Sequence, residues 1–403
     1  MINQQTELDH LFKELPFEEA ICFVLNLLGS SVVITTSIIQ SVRKTYPQFT
    51  SFQQQTILDV ALGTNRGQRL GKFLPNWFVT PILAEQATHF KIAEYHSSNF
   101  YGLDTVLEVC TGSGNDTAAL SQNVATVHTF ENNFLHFLLA QRNCNKIGIK
   151  NIQFHFGTIE EASFSTIKFQ GIWADPSRRD TKGKRSFSID GYSPSLDFLF
   201  SISKECSIAG IKVSPSIHHT VEIGWSREFI GFEKECKEEI LWKKSDTNYN
   251  SLTLIDRLSQ WKYNSDKVDA LTIQESLNEG MYLYEPHSVL IRSKMVQKYF
   301  SEKNISLLDK ESVFGISNEL KLSEFFVGFK IISVVKFKTR ELQAQIDKLG
   351  WNERTEIKKR NFHLLPEEIQ KNLSFRVTSK SFGVIICTRH NGKATAIFAE
   401  RVR

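Results

Sequence analysis

The 403-residue sequence lacks a Cys-x-x-Cys pair: its six cysteines (Cys22, Cys110, Cys144, Cys206, Cys236, Cys387) are scattered. That spacing argues against a zinc site and a disulfide framework, and it predicts a reducing cytoplasm with no metal. Long hydrophobic runs are also missing. The most apolar stretch, Ala20 to Leu28, gives way to Ser30, Ser31, Thr35 and Thr36, so it predicts a buried helix and no membrane partner. Glu7, Asp9 and Glu14 interrupt the start, which argues against a signal peptide. There is no internal repeat and no low-complexity tract. At 41% hydrophobic and 23% charged residues, what remains is an ordinary globular composition, long enough for two or three domains.

The formal net charge of +4 hides an asymmetry. Residues 330–403 hold 16 Lys/Arg against 7 Asp/Glu, a balance of +9, while the first 329 residues hold 32 against 37, a balance of −5. A basic C-terminal module on a mildly acidic body points to a polyanionic partner.

Residues 1–95 read as helical, with apolar residues recurring at spacings of three and four. Residues 66–77, punctuated by glycine and proline, read as a linking loop. From about residue 100 short strands alternate with helices. Strands are expected at Thr105–Val109, Thr126–Phe130, Ile152–Phe156, Gln170–Ala174 and Gly210–Val213, and helices at Phe134–Ile147 and Leu196–Glu205. Such alternation predicts an α/β fold with a Rossmann-like parallel sheet covered on both faces. Glu235–Trp242 and Ser251–Arg257 are expected to pair as an antiparallel hairpin at its edge. Residues 331–403 read as a small α+β unit: strand Ile331–Phe337, helices Thr339–Lys348 and Pro366–Lys371, and a hairpin of Val384–Thr388 and Ala394–Ala399 around Asn391-Gly392.

The chemistry concentrates at two strand ends. Residues 105–116, Thr-Val-Leu-Glu-Val-Cys-Thr-Gly-Ser-Gly-Asn-Asp, carry a strand into a glycine-bearing turn and a helix start. Such a turn lets backbone approach a ligand, and the helix start offers free N–H groups. A dinucleotide fingerprint would need glycine at Thr117, and a phosphate loop would need Gly-Lys-Ser/Thr. An S-adenosylmethionine turn fits better: Glu108 can answer the cofactor's ammonium, and the same carboxylate would repel a pyrophosphate. Gly112, Gly114 and Asp116 complete the turn. Glu131, ending the next strand, can accept hydrogen bonds from ribose hydroxyls, and Glu160 is a candidate acceptor for the adenine amine.

The fourth expected strand ends in Asp175-Pro176-Ser177-Arg178-Arg179-Asp180. Asp175 can accept a hydrogen bond from an exocyclic amine or ring N–H, and Pro176 stiffens the turn that holds it. Arg178, Arg179, Lys182, Lys184 and Arg185 follow, a density that suits nucleic-acid phosphates. The fifth strand ends without a cysteine at Ser214, which leaves no nucleophile there for a covalent route. His218 and His219 read as a surface pair.

Taken together, Glu85-Gln86-Ala87-Thr88, the Glu108–Asp116 turn, Ala174-Asp175-Pro176-Ser177-Arg178-Arg179-Asp180, Ile211-Lys212-Val213-Ser214-Pro215, Glu235-Cys236-Lys237-Glu238, Tyr282-Leu283-Tyr284-Glu285-Pro286 and Lys358-Lys359-Arg360-Asn361-Phe362 resemble a bacterial family. Its members are class I S-adenosylmethionine-dependent methyltransferase-like proteins with a C-terminal THUMP-like domain. The family's turn reads Asp-Leu-Thr-Gly-Gly-x-Gly-x-Asp. Here Glu108, Val109, Cys110 and Thr111 replace its first Asp, Leu, Thr and first Gly, and a side chain at Thr111 would crowd the methionine end of the cofactor.

The resemblance implies a helical region over 1–95, a methyltransferase domain over 96–265, a ferredoxin-like segment near 280–325 and a THUMP-like RNA-binding domain over 330–403. It implies methylation of a base in tRNA or rRNA, with Asp175 and Pro176 at the reaction site and Arg178 and Arg179 on phosphates. A methyltransferase for a small molecule or protein, and a non-catalytic RNA-binding protein, are the rival readings.

Overall fold

The structure is a computed structural model that describes residues 2–160, 167–178, 191–216, 224–244, 250–265, 273, 276–309, 311–375 and 379–402. The chain divides into two compact units, Met1–Ser226 with Ile240–Asn248, and Arg227–Glu239 with Tyr249–Arg403.

The first unit opens with helices α1 (Ile2–Glu14), α2 (Phe17–Leu28), α3 (Thr36–Thr45), α4 (Ser51–Leu70), α5 (Pro81–Gln86) and α6 (Phe90–Ser98). A capping box starts α4, with Thr50 and Gln53 exchanging side-chain-to-backbone bonds; such caps satisfy amides that the first helical turn leaves unpaired. The expected loop over 66–77 begins too early, because α4 continues to Leu70. Gly71 ends α4 in the left-handed conformation, at φ 63°, whereas the glycines inside the helix serve close packing. A Cβ at Gly63 would lie 2.3 Å from the Val79 carbonyl oxygen, and one at Gly67 would lie 2.6 Å from the Phe73 ring.

A parallel sheet follows: β1 (Thr105–Val109), α7 (Asn115–Leu120), β2 (Thr126–Glu131), α8 (Phe134–Lys146), β3 (Ile152–Phe156), β4 (Gly171–Ala174), α9 (Leu196–Ile202) and β5 (Ile208–Val213). The strand order is β3-β2-β1-β4-β5, and every neighbour pair is parallel. Leu107, Val109, Ile172, Ala174, Ala209 and Ile211 are buried in one apolar cluster with Leu199 of α9. These short runs, apolar at nearly every position, form strands because both faces of the sheet are covered. The chain leaves β1 in one direction for β2 and β3 and returns to its other side as β4. That reversal creates the crevice where open α/β sheets take ligands.

β6 (Trp225–Phe232) and β7 (Glu235–Lys243) carry the chain between the units, followed by β8 (Asn250–Ile255) and β9 (Gln260–Ser265). The expected hairpin of β7 with β8 is not formed. β6 stands between them in the strand order; it pairs in parallel with β8, and β8 pairs antiparallel with β9. Charged residues disguise β6 in the sequence. Glu228 is buried within it, where it accepts from Thr253 Oγ1 at 2.6 Å and meets Lys262 Nζ at 3.4 Å.

The second unit also contains β10 (Tyr282–Pro286), α10 (Ser288–Arg292), α11 (Val296–Glu302), β11 (Ser306–Leu307), β12 (Gly315–Ser317), β13 (Phe326–Lys336), α12 (Thr339–Leu349), β14 (Glu356–Lys359), α13 (Pro366–Gln370), β15 (Val384–His390) and β16 (Lys393–Val402). They build a sheet of order β11-β12-β10-β13-β16-β15-β14. The gap between the segments expected at 280–325 and 330–403 falls inside β13, which pairs with β10 on one side and β16 on the other. Both segments therefore share one sheet. The β15–β16 hairpin turns at Asn391 and Gly392, with φ of 49° and 73°, as its sequence requires. Among the described residues no helix is long and apolar enough to cross a membrane.

Candidate functional site

The turn after β1 is built from left-handed residues. Cys110, Gly112 and Gly114 have φ of 70°, 56° and 84°. A Cβ on Gly114 would sit 3.4 Å from Ala140 Cβ and 3.5 Å from Cys144 Sγ, so this glycine answers both a backbone and a packing demand. Side-chain bonds in both directions between the helical region and the turn anchor it from behind. Trp77 Nε1 donates to the Ser113 carbonyl at 2.8 Å, and Asn115 Nδ2 donates to the Thr88 carbonyl at 2.8 Å.

Three amides of the turn are bonded within the chain. Gly112 N donates to Glu131 Oε2 at 2.9 Å, Gly114 N to the Thr111 carbonyl at 3.0 Å, and Asn115 N to Ser113 Oγ at 3.4 Å. The helix that follows, α7, has six residues. The chain spends these amides on its own carboxylate and turn.

Glu108 lies on β1 with 1% of its surface exposed. Its Oε2 accepts from Thr117 Oγ1 at 2.6 Å. Burial, helped by the negative charges of Asp116 and Asp175, pushes its carboxyl up to about 8; low-dielectric surroundings disfavour the charged form. Thr111, where the resembling family has glycine, is buried with its Oγ1 2.5 Å from Thr129 Oγ1. Its side chain is thus tied to β2. Glu131 ends β2 and also accepts from Asn133 N at 2.8 Å; burial raises its carboxyl as well. Asp116 sits on α7, with Oδ1 3.3 Å from His96 Nδ1 of α6. The ring of His96 lies 4.4 Å from that of Trp173.

Asp175 follows β4 directly. Its backbone N donates to the Val109 carbonyl at 3.2 Å, which ties the reaction end to the turn strand. Its Oδ2 accepts from Lys212 Nζ at 2.9 Å, and the same ammonium donates to Thr88 Oγ1 at 2.9 Å. Pro176 is buried. Ser177 and Ser193 exchange backbone bonds at 3.0 Å, and Ser214 N donates to Tyr192 Oη at 2.9 Å. These bonds pin the segments after β4 and β5 to residues 192–193. Arg178 is partly buried, and Glu160 is exposed in the turn after β3. Arg179, Asp180, Lys182, Lys184, Arg185, His218 and His219 lie outside the described residues.

The structure brings Glu108, Glu131, Asp116 and Asp175 to the carboxyl end of the sheet. Burial, helped by the negative charges of Glu131, Asp175 and Glu160, holds the Cys110 thiol well above its ordinary range. Sequence reasoning assigned no role to Thr88 or Lys212. The signal was present: Lys212 is a lysine between the apolar Ile211 and Val213 at a strand's carboxyl end.

Residues 327–401 match the THUMP domain-like family model. They form a THUMP-like domain. A candidate methyltransferase from Porphyromonas gingivalis is similar in fold over 92% of this chain and 100% of that one, with a TM-score of 0.72 at 16% identity. A type I restriction-modification methyltransferase subunit from Streptococcus thermophilus overlaps 55% of this chain and 56% of its own at 14% identity and a TM-score of 0.32. A tRNA methyltransferase from Aquifex aeolicus overlaps 39% of this chain and 69% of its own at 18% identity and a TM-score of 0.27. Overlaps that slight do not choose between substrates. No curated protein matches the chain.

Proposed function

We propose that this chain is an S-adenosylmethionine-dependent methyltransferase that modifies a base nitrogen in tRNA or rRNA. The observation that carries the cofactor is the sign of the charge around the turn. Asp116 and Asp175 act on Glu108, while Glu131, Asp175 and Glu160 act on Cys110. With the Gly112 amide already bonded to a carboxylate, a pyrophosphate would meet repulsion and few donors. A cationic ligand would meet attraction. Such a cofactor would supply a methyl group on a positively charged sulfur, activated for in-line transfer.

Glu131 would accept from ribose hydroxyls, Gly112 and Gly114 would let the cofactor approach the backbone, and Glu108 and Asp116 would complete the pocket wall. Glu160 would meet the adenine amine. Asp175, stiffened by Pro176, would accept a hydrogen bond from the target amine and so aim its lone pair. Placement of that kind supplies up to about 7–11 kcal/mol of a barrier.

RNA as substrate is supported by the THUMP domain-like match and by the +9 balance of residues 330–403. Within that domain the Arg354 guanidinium lies 4.4 Å from the ring centroid of Phe382, a residue 47% exposed. A cation beside an exposed aromatic face suits phosphates and stacked bases. Arg178 and Arg179 would contact phosphates nearer the reaction.

The test is transfer of tritium from labelled S-adenosylmethionine to total RNA from cells lacking this protein, resolved by size. A labelled tRNA or rRNA band is expected, and Asp175→Ala should abolish it while cofactor binding by calorimetry persists. Cofactor binding with label only on protein or small molecules would move the substrate assignment. Neither label nor binding would overturn the reading.

A further inference from the structure

Three segments singled out in the sequence meet at one atom. Thr88 lies between α5 and α6, Asp175 follows β4, and Lys212 is on β5; both Thr88 Oγ1 and Asp175 Oδ2 are 2.9 Å from Lys212 Nζ. Sheet register builds this meeting. β4 and β5 pair in parallel with Ala174 opposite Ile211, so one step further places Asp175 beside Lys212. Ile211 and Val213 are buried in the apolar cluster under the sheet, so Lys212 between them points to the opposite face.

The Lys212 side chain is 14% exposed, whereas that of Asp175 is 33% exposed. Lysine is seldom so buried without a partner, and a buried pair is costly unless its geometry and further hydrogen bonds compensate the lost hydration. Here the compensation is present on the lysine side. The better-buried member of the pair is thus the one without an assigned role, and the more open member is the proposed acceptor.

We propose that Lys212 is a positioning residue for methyl transfer. Its ammonium, itself fixed by Thr88, locks the rotation of the Asp175 carboxylate, so that the amine of the target base is received in one orientation. The inference rests on the methyltransferase reading. It adds that the acceptor is not Asp175 alone but a Thr88–Lys212–Asp175 unit, and that the cofactor pocket is not where Lys212 acts.

The experiment uses the full chain, labelled S-adenosylmethionine and the RNA fraction that accepts label. Lys212→Met removes the ammonium and keeps most of the stem; Lys212→Arg keeps a cation and donors. Misplacement on the scale of 1 Å can cost about 100-fold in rate, so Lys212→Met is expected to lower kcat by about 10- to 100-fold. The Kd for S-adenosylmethionine by calorimetry should change by less than about twofold, and Lys212→Arg should recover a substantial part of kcat. Because the residues act as a unit, Asp175→Asn, which keeps the shape and a residual rate, combined with Lys212→Met should be no slower than Asp175→Asn alone.

An unchanged kcat in Lys212→Met, a loss confined to cofactor affinity, or a double variant slower by the product of the two single effects would overturn the inference while leaving the methyltransferase reading standing. Should Lys212→Met fail to fold, a folded Lys212→Arg with wild-type kcat supports the unit, and a folded Lys212→Arg as inactive as Asp175→Ala speaks against cation-based positioning. Absence of transfer by the wild-type chain, with cofactor bound or not, would overturn both.

Discussion

Substituting Glu108 by glutamine should flatten the dependence of stability on pH. In the folded chain burial pushes this carboxyl from 4.5 up to about 8, whereas the unfolded chain exposes it to water. Between those values the native state holds a proton that the unfolded state has released. The contribution of Glu108 is therefore fully present below about pH 4.5, declines as pH rises and is gone above about pH 8. At about 1.4 kcal/mol for each tenfold change in proton affinity, the span amounts to at most about 5 kcal/mol. Glutamine occupies nearly the same volume and can still accept from Thr117 Oγ1, but it has no proton to lose.

Urea melts of both proteins at pH 5, 6, 7, 8 and 9 are the assay. The wild type should lose several kcal/mol relative to Glu108→Gln across that range. Parallel curves, or a wild type that gains stability toward pH 9 relative to the variant, would refute the placement of Glu108 as a buried, proton-holding group. The same titration reaches the cofactor. If the Glu108 anion answers the ammonium of S-adenosylmethionine, wild-type affinity should climb by up to about tenfold for each pH unit between 6 and 8, and that climb should vanish in Glu108→Gln.

Other perturbations probe the turn and the C-terminal domain. Gly114→Ala forces an alanine into φ 84° and presses its Cβ to 3.4 Å from Ala140; a loss of about 1–2 kcal/mol is expected from the backbone alone, read by urea denaturation. Trp77→Phe removes the 2.8 Å bond to the Ser113 carbonyl and leaves that acceptor the longer bond from Asn143 Nδ2 at 3.5 Å; it should cost about 0.5–1.5 kcal/mol and weaken cofactor binding by calorimetry. Phe382→Ala should weaken RNA binding by about 1–3 kcal/mol without changing the salt dependence in a filter-binding titration. Arg354→Gln should instead lower the magnitude of the salt slope by about one.

The first five strands were legible because each is short, apolar and closed by a turn, and because consecutive parallel strands have a local signature. The Asn391-Gly392 hairpin was legible for a different reason: two consecutive positive-φ residues need that dipeptide. The fold became illegible where a charge is buried. Glu228 and Arg227 make β6 read as surface, although Glu228 is satisfied by Thr253 and Lys262 and Arg227 pairs with Glu239. With β6 unseen, β7 and β8 appeared to be neighbours. The same blindness to partners extended α4's loop too far toward its N-terminus. Gly67 looks like punctuation until the Phe73 ring that fills its missing Cβ is known.

At the site, residue identities were legible and their allegiances were not. The turn was expected to offer its amides to a ligand, yet Gly112 gives its N–H to Glu131, a residue expected to serve the ligand from the opposite side. Glu131 thus shapes the turn that it would share with a ribose. Its two oxygens offer about four acceptor sites against the backbone bonds from Gly112, Asn132 and Asn133, so holding the turn does not exhaust it. Lys212 follows the same logic at the proposed reaction end, because its bonds link Thr88 of the helical region to the proposed acceptor Asp175. A substitution at either carboxylate would therefore disturb geometry as well as contact. This is why separate measurements of Kd, kcat and stability, rather than loss of activity alone, are needed to assign a role to each.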